Sequence, residues 1–150
     1  MRLISAALFA AAAFAVAAPA LADEKVPTPF VQEILIKTAI LTVNDANITG
    51  NYSVLHAKLA KAFRDKTSPD ALKQAFKSFA DQKLDLGLIS AMPAVASSEA
   101  KINTARGSLE LRGYFDTKPS RVTYELDFLP SEGQWKPAQI DVRVRTPASQ

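Results

Sequence analysis

His56 is the one histidine of this 150-residue chain, and cysteine is absent altogether. A histidine acting as general base needs an orienting acid and a nucleophile, and no Gly-x-Ser-x-Gly elbow or other triad pattern accompanies this one. As a metal ligand it lacks a second histidine or a cysteine to complete a set. His56 therefore reads as a structural residue at the edge of a helical stripe, and neither a metal nor a cofactor is expected. The carboxylates are scattered. Asp45 and Asp65 fall at helix ends, where capping and solvation account for them. Glu110, Glu125, Asp127 and Asp141 share one strand phase with Arg112, Arg121 and Arg143. That pattern is a solvated or partner-facing sheet surface rather than an acid/base pair, and Arg112, Glu125, Asp141 and Arg143 are its candidate partner residues.

The opposite strand phase carries Tyr124 with no carboxylate beside it on the firm strands. Asp85 is the one acid that reaches the interior if the phase of its own segment is reversed. Tyr52, Phe63, Phe79, Tyr124 and Trp135 form the candidate ligand set, aromatic rings near the open end of an apolar interior. Gly113 opposite Tyr124 leaves room there for a ring or a ligand. Aromatic residues at such spacing serve equally as plain core, so both readings stand. Between Asn51 and Lys83, seven cations (Lys58, Lys61, Arg64, Lys66, Lys73, Lys77, Lys83) face Asp65, Asp70 and Asp81. This is either a patch for an anionic envelope surface or the ordinary solvated face of two amphipathic helices. The glycines are dispersed, and no phosphate-cradling loop is present.

These residues must be positioned by regular elements. Phe30, Ile34 and Leu41, with Val31, Leu35 and Ile40, recur at helical spacing and predict a first helix to about Val43. It is expected to dissolve in Asn44-Asp45-Ala46-Asn47 before Gly50. Leu55, Leu59 and Phe63 predict a second helix over Ser53–Arg64. Ser68 as N-cap, Pro69 at the first position and Asp70 beside the positive dipole end predict a third, fading near Gln82. Beyond Lys83 the period drops to two: Leu84, Leu86 and Leu88 suggest an entering strand to about Met92, and Pro93–Lys101 is ambiguous. Three firmer strands follow over Ser108–Asp116, Arg121–Leu129 and Trp135–Arg145, joined by Thr117–Ser120 and Ser131–Gln134. Centring the first hairpin on Lys118-Pro119 pairs Asp116 with Arg121, Arg112 with Glu125, Leu111 with Leu126 and Gly113 with Tyr124. Glu110 against Asp127 is the one unfavourable pair, and slippage or splaying is expected there.

The beginning of the chain fixes its destination. Arg2 is followed by an apolar run over Leu3–Ala18 and by Pro19-Ala20-Leu21-Ala22, the order of charge, apolar core and small-residue exit of a cleaved signal peptide over residues 1–22. A flexible lead over 23–29, one domain over 30–145 and a tail over 146–150 complete the expected organisation. The Ala-rich leader points to a bacterial periplasm. Without cysteine the core alone must supply stability, which this length allows. The net charge of +3 is too small and too dispersed for a nucleic-acid binder. Membrane contact is expected to be peripheral at most.

Helices followed by antiparallel strands make an α+β fold, with three N-terminal helices packed on a curved antiparallel sheet of four to five strands. That element order and the segment Asn44-Asp45-Ala46-Asn47-Ile48-Thr49-Gly50-Asn51-Tyr52-Ser53-Val54-Leu55 resemble the nuclear-transport-factor-two-like superfamily, which includes ketosteroid isomerase. The segment is similar to the first-helix exit of a group of exported bacterial members whose role is uncharacterised. The resemblance spans Phe30 to Arg145 and implies a cone-shaped sheet wrapped around the first helix. In the isomerase branch a strand carboxylate points into the cone, and the three firm strands offer none. The leading expectation is a non-catalytic periplasmic domain. It takes an apolar or amphiphilic small molecule in the cone, or a partner on the outer sheet face, including a second copy through that face. The alternative is a small hydratase or isomerase centred on Tyr124.

Overall fold

Thr28 and Pro29 open the long first helix. The Thr28 hydroxyl accepts from the Val31 N–H at 3.4 Å, and proline at the first helical position gives up no needed hydrogen bond. A computed structural model describes residues 25–145; the leader over 1–22 and the tail over 146–150 lie outside the described residues. Helix α1 spans Pro29–Thr49 and ends on Gly50 in the left-handed conformation, φ 71°. It thus passes through Asn44–Asn47, where the sequence predicts a turn. Those residues stay helical because they have partners. Ala46 is buried, the Asn44 side chain holds the distant Leu86 N–H at 2.7 Å, and Asn47 accepts from the Tyr52 hydroxyl.

The buried face of α1 is Ile36, Ala39, Ile40, Val43 and Ala46, a stripe at spacings of three and four. The predicted stripe differs at its start. Phe30 is 74% exposed and Ile34 47%, because the covered part of the helix begins about a turn later.

Five α-helices, not three, are present among the described residues. The predicted second helix divides into α2 (Ser53–Lys58) and α3 (Lys61–Arg64). The break frees the Ala60 N–H to meet the Pro137 carbonyl at 2.8 Å and the Lys61 N–H to meet Ser131 Oγ at 3.0 Å. The third divides into α4 (Pro69–Ala75) and α5 (Lys77–Asp81) at Phe76. The kink lets Phe76 join the small cluster of Val43, Ala46, Tyr52 and Leu55 while Phe79 turns to the main core, the two rings meeting edge-on at 6.3 Å.

The entering strand predicted over Leu84–Met92 is a 3₁₀ turn, Gly87–Ala91. Leu86 and Ile89 are buried three residues apart while Leu88 is exposed, so the alternation of leucines carried no strand. Asp85 accepts from the Gly87 N–H at 2.8 Å and from Asn44 Nδ2 at 3.3 Å, which holds its carboxylate at the surface.

The sheet has five antiparallel strands: β1 (Val95–Ala96), β2 (Lys101–Asn103), β3 (Ser108–Phe115), β4 (Arg121–Ser131) and β5 (Gln134–Arg145). Their order is β1-β3-β4-β5, with β2 also pairing β3. Strand β1 falls within the ambiguous Pro93–Lys101 segment, and β2 begins at its last residue and runs beyond it. The β3–β4 register is the predicted one at every named pair, and Asp116 meets Arg121 at 2.8 Å. Glu132 and Gly133, both at positive φ, turn β4 into β5. Helix α1 and the 3₁₀ turn cover one sheet face over Leu109, Leu111, Phe115, Tyr124, Leu126 and Phe128.

The Glu110–Asp127 pair neither slips nor splays. Arg106 reaches Glu110 at 3.0 Å and Asp127 at 3.5 Å. Arg112 meets Asp127 at 2.6 Å, and Asn103 donates to Glu110 at 2.9 Å. Two opposed carboxylates become tolerable when cations and donors fill the space between them.

Candidate functional site

A β-bulge shapes the site. Asp127 pairs with Gln139 but Phe128 pairs with Pro137, leaving Ala138 unpaired. The extra residue reverses the side-chain phase of β5, so that Pro137 and Trp135 turn toward Phe128 and the helices. Proline within a strand marks such irregularities, and Pro137 was the available signal in the strand expected to run unbroken over Trp135–Arg145.

The bulge opens a groove of about 340 Å³ between α1, α2 and the start of β5. Leu55, Ala39 and Phe128 are buried in its floor and Ile34 stands on its rim. Trp135 and Pro137 make the far wall. On the helical side, Lys58 Nζ donates to Thr42 Oγ1 at 3.0 Å and the Thr42 hydroxyl donates to the Thr38 carbonyl at 2.7 Å, while Gln134 and Lys136 line the groove from β5. The α1 wall of the groove therefore runs from apolar Ile34 to polar Thr38 and Thr42, with Phe30 one turn before Ile34 on the same helix. A cavity of this size lies at the low end of the ~300–1,000 Å³ usual for ligand sites, and apolar walls with few polar groups are their ordinary lining.

Glu132 braces the groove from the hairpin. It accepts from Arg64 at 2.9 and 3.2 Å and pairs with Lys136, a lining residue. The Arg64 hydrogen bond first, then that of Lys136, hold its carboxyl down at about 2. A folded-state value below the unfolded one means that its stabilisation is present above the unfolded value of ~4.3. It is lost as pH falls from there through about 2. Thermal melts of the protein are expected to fall over that window, and Glu132→Gln is expected to flatten the fall. An unchanged slope in the variant would assign the acid sensitivity elsewhere.

The five candidate aromatic residues do not converge. Trp135 lines the groove. Tyr52 is buried beside Val43 and Leu55. Phe63 is exposed near Asp127 and Gln139 at the other side of the sheet. Phe79 lies beside Ile48 and Leu84. Tyr124 is buried in the main core, its ring 5.7 Å from that of Phe115 and its hydroxyl end over Gly113. Burial first, and then the Glu33 charge, push its phenol up to about 12. Among the described residues no carboxylate hydrogen-bonds to that hydroxyl. Glu33 itself is held by Lys37 at 2.8 Å; that bond leads in pulling its carboxyl below the usual range, and the Ala94 N–H assists.

Arg112, Glu125, Asp141 and Arg143 do come together. They line an open, polar dish of about 480 Å³ on the sheet face away from α1, with Tyr114, Thr123 and Arg145. Arg143 reaches Glu125 at 3.8 Å and pairs with Asp141. Arg112 lies 3.9 Å from Glu125, and Arg121 stacks on the Tyr114 ring at 4.3 Å. The charges here largely satisfy one another.

His56 is engaged structurally: Nε2 lies 3.0 Å from the Arg64 carbonyl and 2.6 Å from that of Thr67. Two acceptors place the proton on that nitrogen. Of the cationic patch, Lys61 and Lys77 pair with Asp65 and Asp81. Among the described residues no group of three or more acidic or histidine side chains is arranged to hold a metal, and no helix is long and apolar enough to cross a membrane. No protein-family model matches the chain, and neither a curated protein nor a solved structure does.

Proposed function

We propose that this chain is an exported, non-catalytic domain that binds a single-chain amphiphile in the groove between α1 and β5. One observation carries the reading: the apolar groove reaches exposed Ile34, with Val31 and Phe30 also exposed about one turn before it on α1, and takes in Lys58 and the two threonines. An aliphatic chain laid along that groove removes apolar surface from water on both partners, and an acidic head group meets the ammonium. The leader pattern supports export to the periplasm. The element order and the segment Asn44–Leu55 support a nuclear-transport-factor-two-like domain, its sheet wrapped as a cone around the first helix.

Trp135 is the chain's only tryptophan and lines the groove, so its emission reports occupancy directly. Titration with laurate is expected to shift that emission saturably. Ile34→Asp, on the exposed rim, is expected to weaken binding about tenfold, the loss of one buried aliphatic side chain. Lys58→Glu is expected to weaken laurate while leaving dodecanol unchanged. No saturable shift with either probe overturns the reading, and an equal response of laurate and dodecanol to Lys58→Glu removes the acidic head group from it.

A further inference from the structure

Strand β5 ends the sheet, and its hydrogen-bonding parity can be followed across the strands. The Ser97 N–H donates to the Arg112 carbonyl at 3.0 Å, so Arg112 turns its backbone groups toward β1 and away from β4. Its cross-strand partner Glu125 therefore faces β5, and Asp141, opposite Glu125, faces back toward β4. The Thr123 hydroxyl donating to the Arg143 carbonyl at 3.3 Å agrees with this parity. Ile140, Val142 and Val144 consequently direct their N–H and C=O groups outward. Near the hairpin the edge is closed, since the Pro137 carbonyl takes the Ala60 N–H. From Gln139 to Arg145 no described residue bonds to it. This stretch has no proline, lysine or bulge to guard it; its charged residues are Asp141, Arg143 and Arg145, of both signs.

We propose that this edge pairs antiparallel with the same edge of a second copy of the chain, centred on Val142. The sequence selects that register. Only registers centred on a residue keep the covered face of one copy continuous with that of the other. Centring on Asp141 sets that carboxylate against its own copy, and centring on Arg143 opposes two guanidinium groups. Centring on Val142 places Asp141 opposite Arg143 of the second copy, twice by symmetry. It also sets Ile140 against Val144 on the face that bears the core. Val142 meets Val142, and each outward residue exchanges both backbone bonds. The Asp141–Arg143 contact within one chain, 3.2 Å from Nε to Oδ1, becomes a crossed set of four charges. Opposite charges directly across a strand pair are favourable and like charges unfavourable, so the pattern both attracts the right register and rejects its neighbours.

Sedimentation equilibrium of the purified protein over a wide concentration range tests this. The wild type is expected to pass from one-chain to two-chain mass. Arg143→Asp sets acid against acid on both sides of the axis and is expected to weaken association at least about tenfold. Adding Asp141→Arg to it restores the opposite-charge pairs and is expected to restore the wild-type constant. Val142→Pro removes an edge N–H that β4 does not use; it is expected to abolish edge pairing and to leave any face-to-face association intact, with circular dichroism reporting that the variant folds. A wild type that stays monomeric throughout overturns the proposal. So does a dimer that Arg143→Asp leaves unchanged, or one that the charge swap fails to rescue.

Discussion

Gly113→Ala is expected to cost about 3 kcal/mol or more, at the upper end of what overpacking does to a closed interior. A Cβ on Gly113 collides with the Val95 carbonyl and the Tyr124 hydroxyl and stands 2.7 Å from Tyr124 Cζ. The ring has nowhere to go, because Tyr124 lies in the main core against Phe115. The carbonyl belongs to β1, which pairs with β3 at this point. At roughly 4 °C per kcal/mol for a domain of this size, the melting temperature is expected to fall by about 10 °C. Tyr124→Leu combined with Gly113→Ala relieves the ring contact but not the carbonyl contact, so rescue is expected to be partial. Full rescue would show that the tyrosine alone sets the requirement. Gly50→Ala is the control: φ is 71° there but nothing lies within 4 Å, and only the ~1 kcal/mol of left-handed strain is expected.

Arg112→Ala is expected to cost about 3–5 kcal/mol, the penalty for leaving a buried charge without its partner. Asp127 is 3% exposed and has its 2.6 Å contact from Arg112. The same guanidinium donates to the Leu126 carbonyl at 2.7 Å and the Leu111 carbonyl at 3.1 Å. Arg106, whose side chain is 57% exposed and 3.5 Å from Asp127, is a weaker partner, and Arg106→Ala is expected to cost below about 1 kcal/mol. Chemical denaturation of Arg112→Ala, Asp127→Ala and their combination separates the two contributions. The double variant is expected to lose clearly less than the sum of the singles. Additive losses would mean that Arg112 acts through its carbonyl contacts and not through the charge.

Hairpin geometry was legible in the sequence because every local signal but the Glu110–Asp127 pair agreed, and Arg106, Arg112 and Asn103 resolve that pair from outside it. The turn at Lys118-Pro119, the charge pairs outside and the apolar pairs inside all pointed to one register. The helices were less legible because distant backbone decides where they stop. Nothing near Leu59 announces that Ala60 will donate to Pro137, and nothing near Leu84 announces that Asn44 will claim the Leu86 N–H. Phe30 and Ile34 show the limit of periodicity, which says that residues share a face and not that anything covers it. The same limit applies to the site. Candidate aromatic residues were chosen by type and phase, but one unpaired residue at Ala138 decides which way Trp135 turns. The charged sheet face was legible because strand parity alone brings Arg112, Glu125, Asp141 and Arg143 together.

The covered face of α1 finds its partners late. Ile36, Ala39 and Ile40 pack against Leu109, Leu126, Phe128 and Val142, residues separated from them by all the other helices and the first strands. During synthesis the helix is made before them, and although Val43 and Ala46 meet Tyr52 and Leu55 early, the sheet that covers Ile36, Ala39 and Ile40 is complete only when the last strand has left the ribosome. Contacts so far apart in sequence form slowly, while the β3–β4–β5 meander can assemble from neighbouring segments. Until the last strand is out, part of the apolar face of the first helix stays open to any factor that holds or threads open chains. Moving that helix to the carboxyl end by circular permutation would let it dock as it emerges and shorten that window.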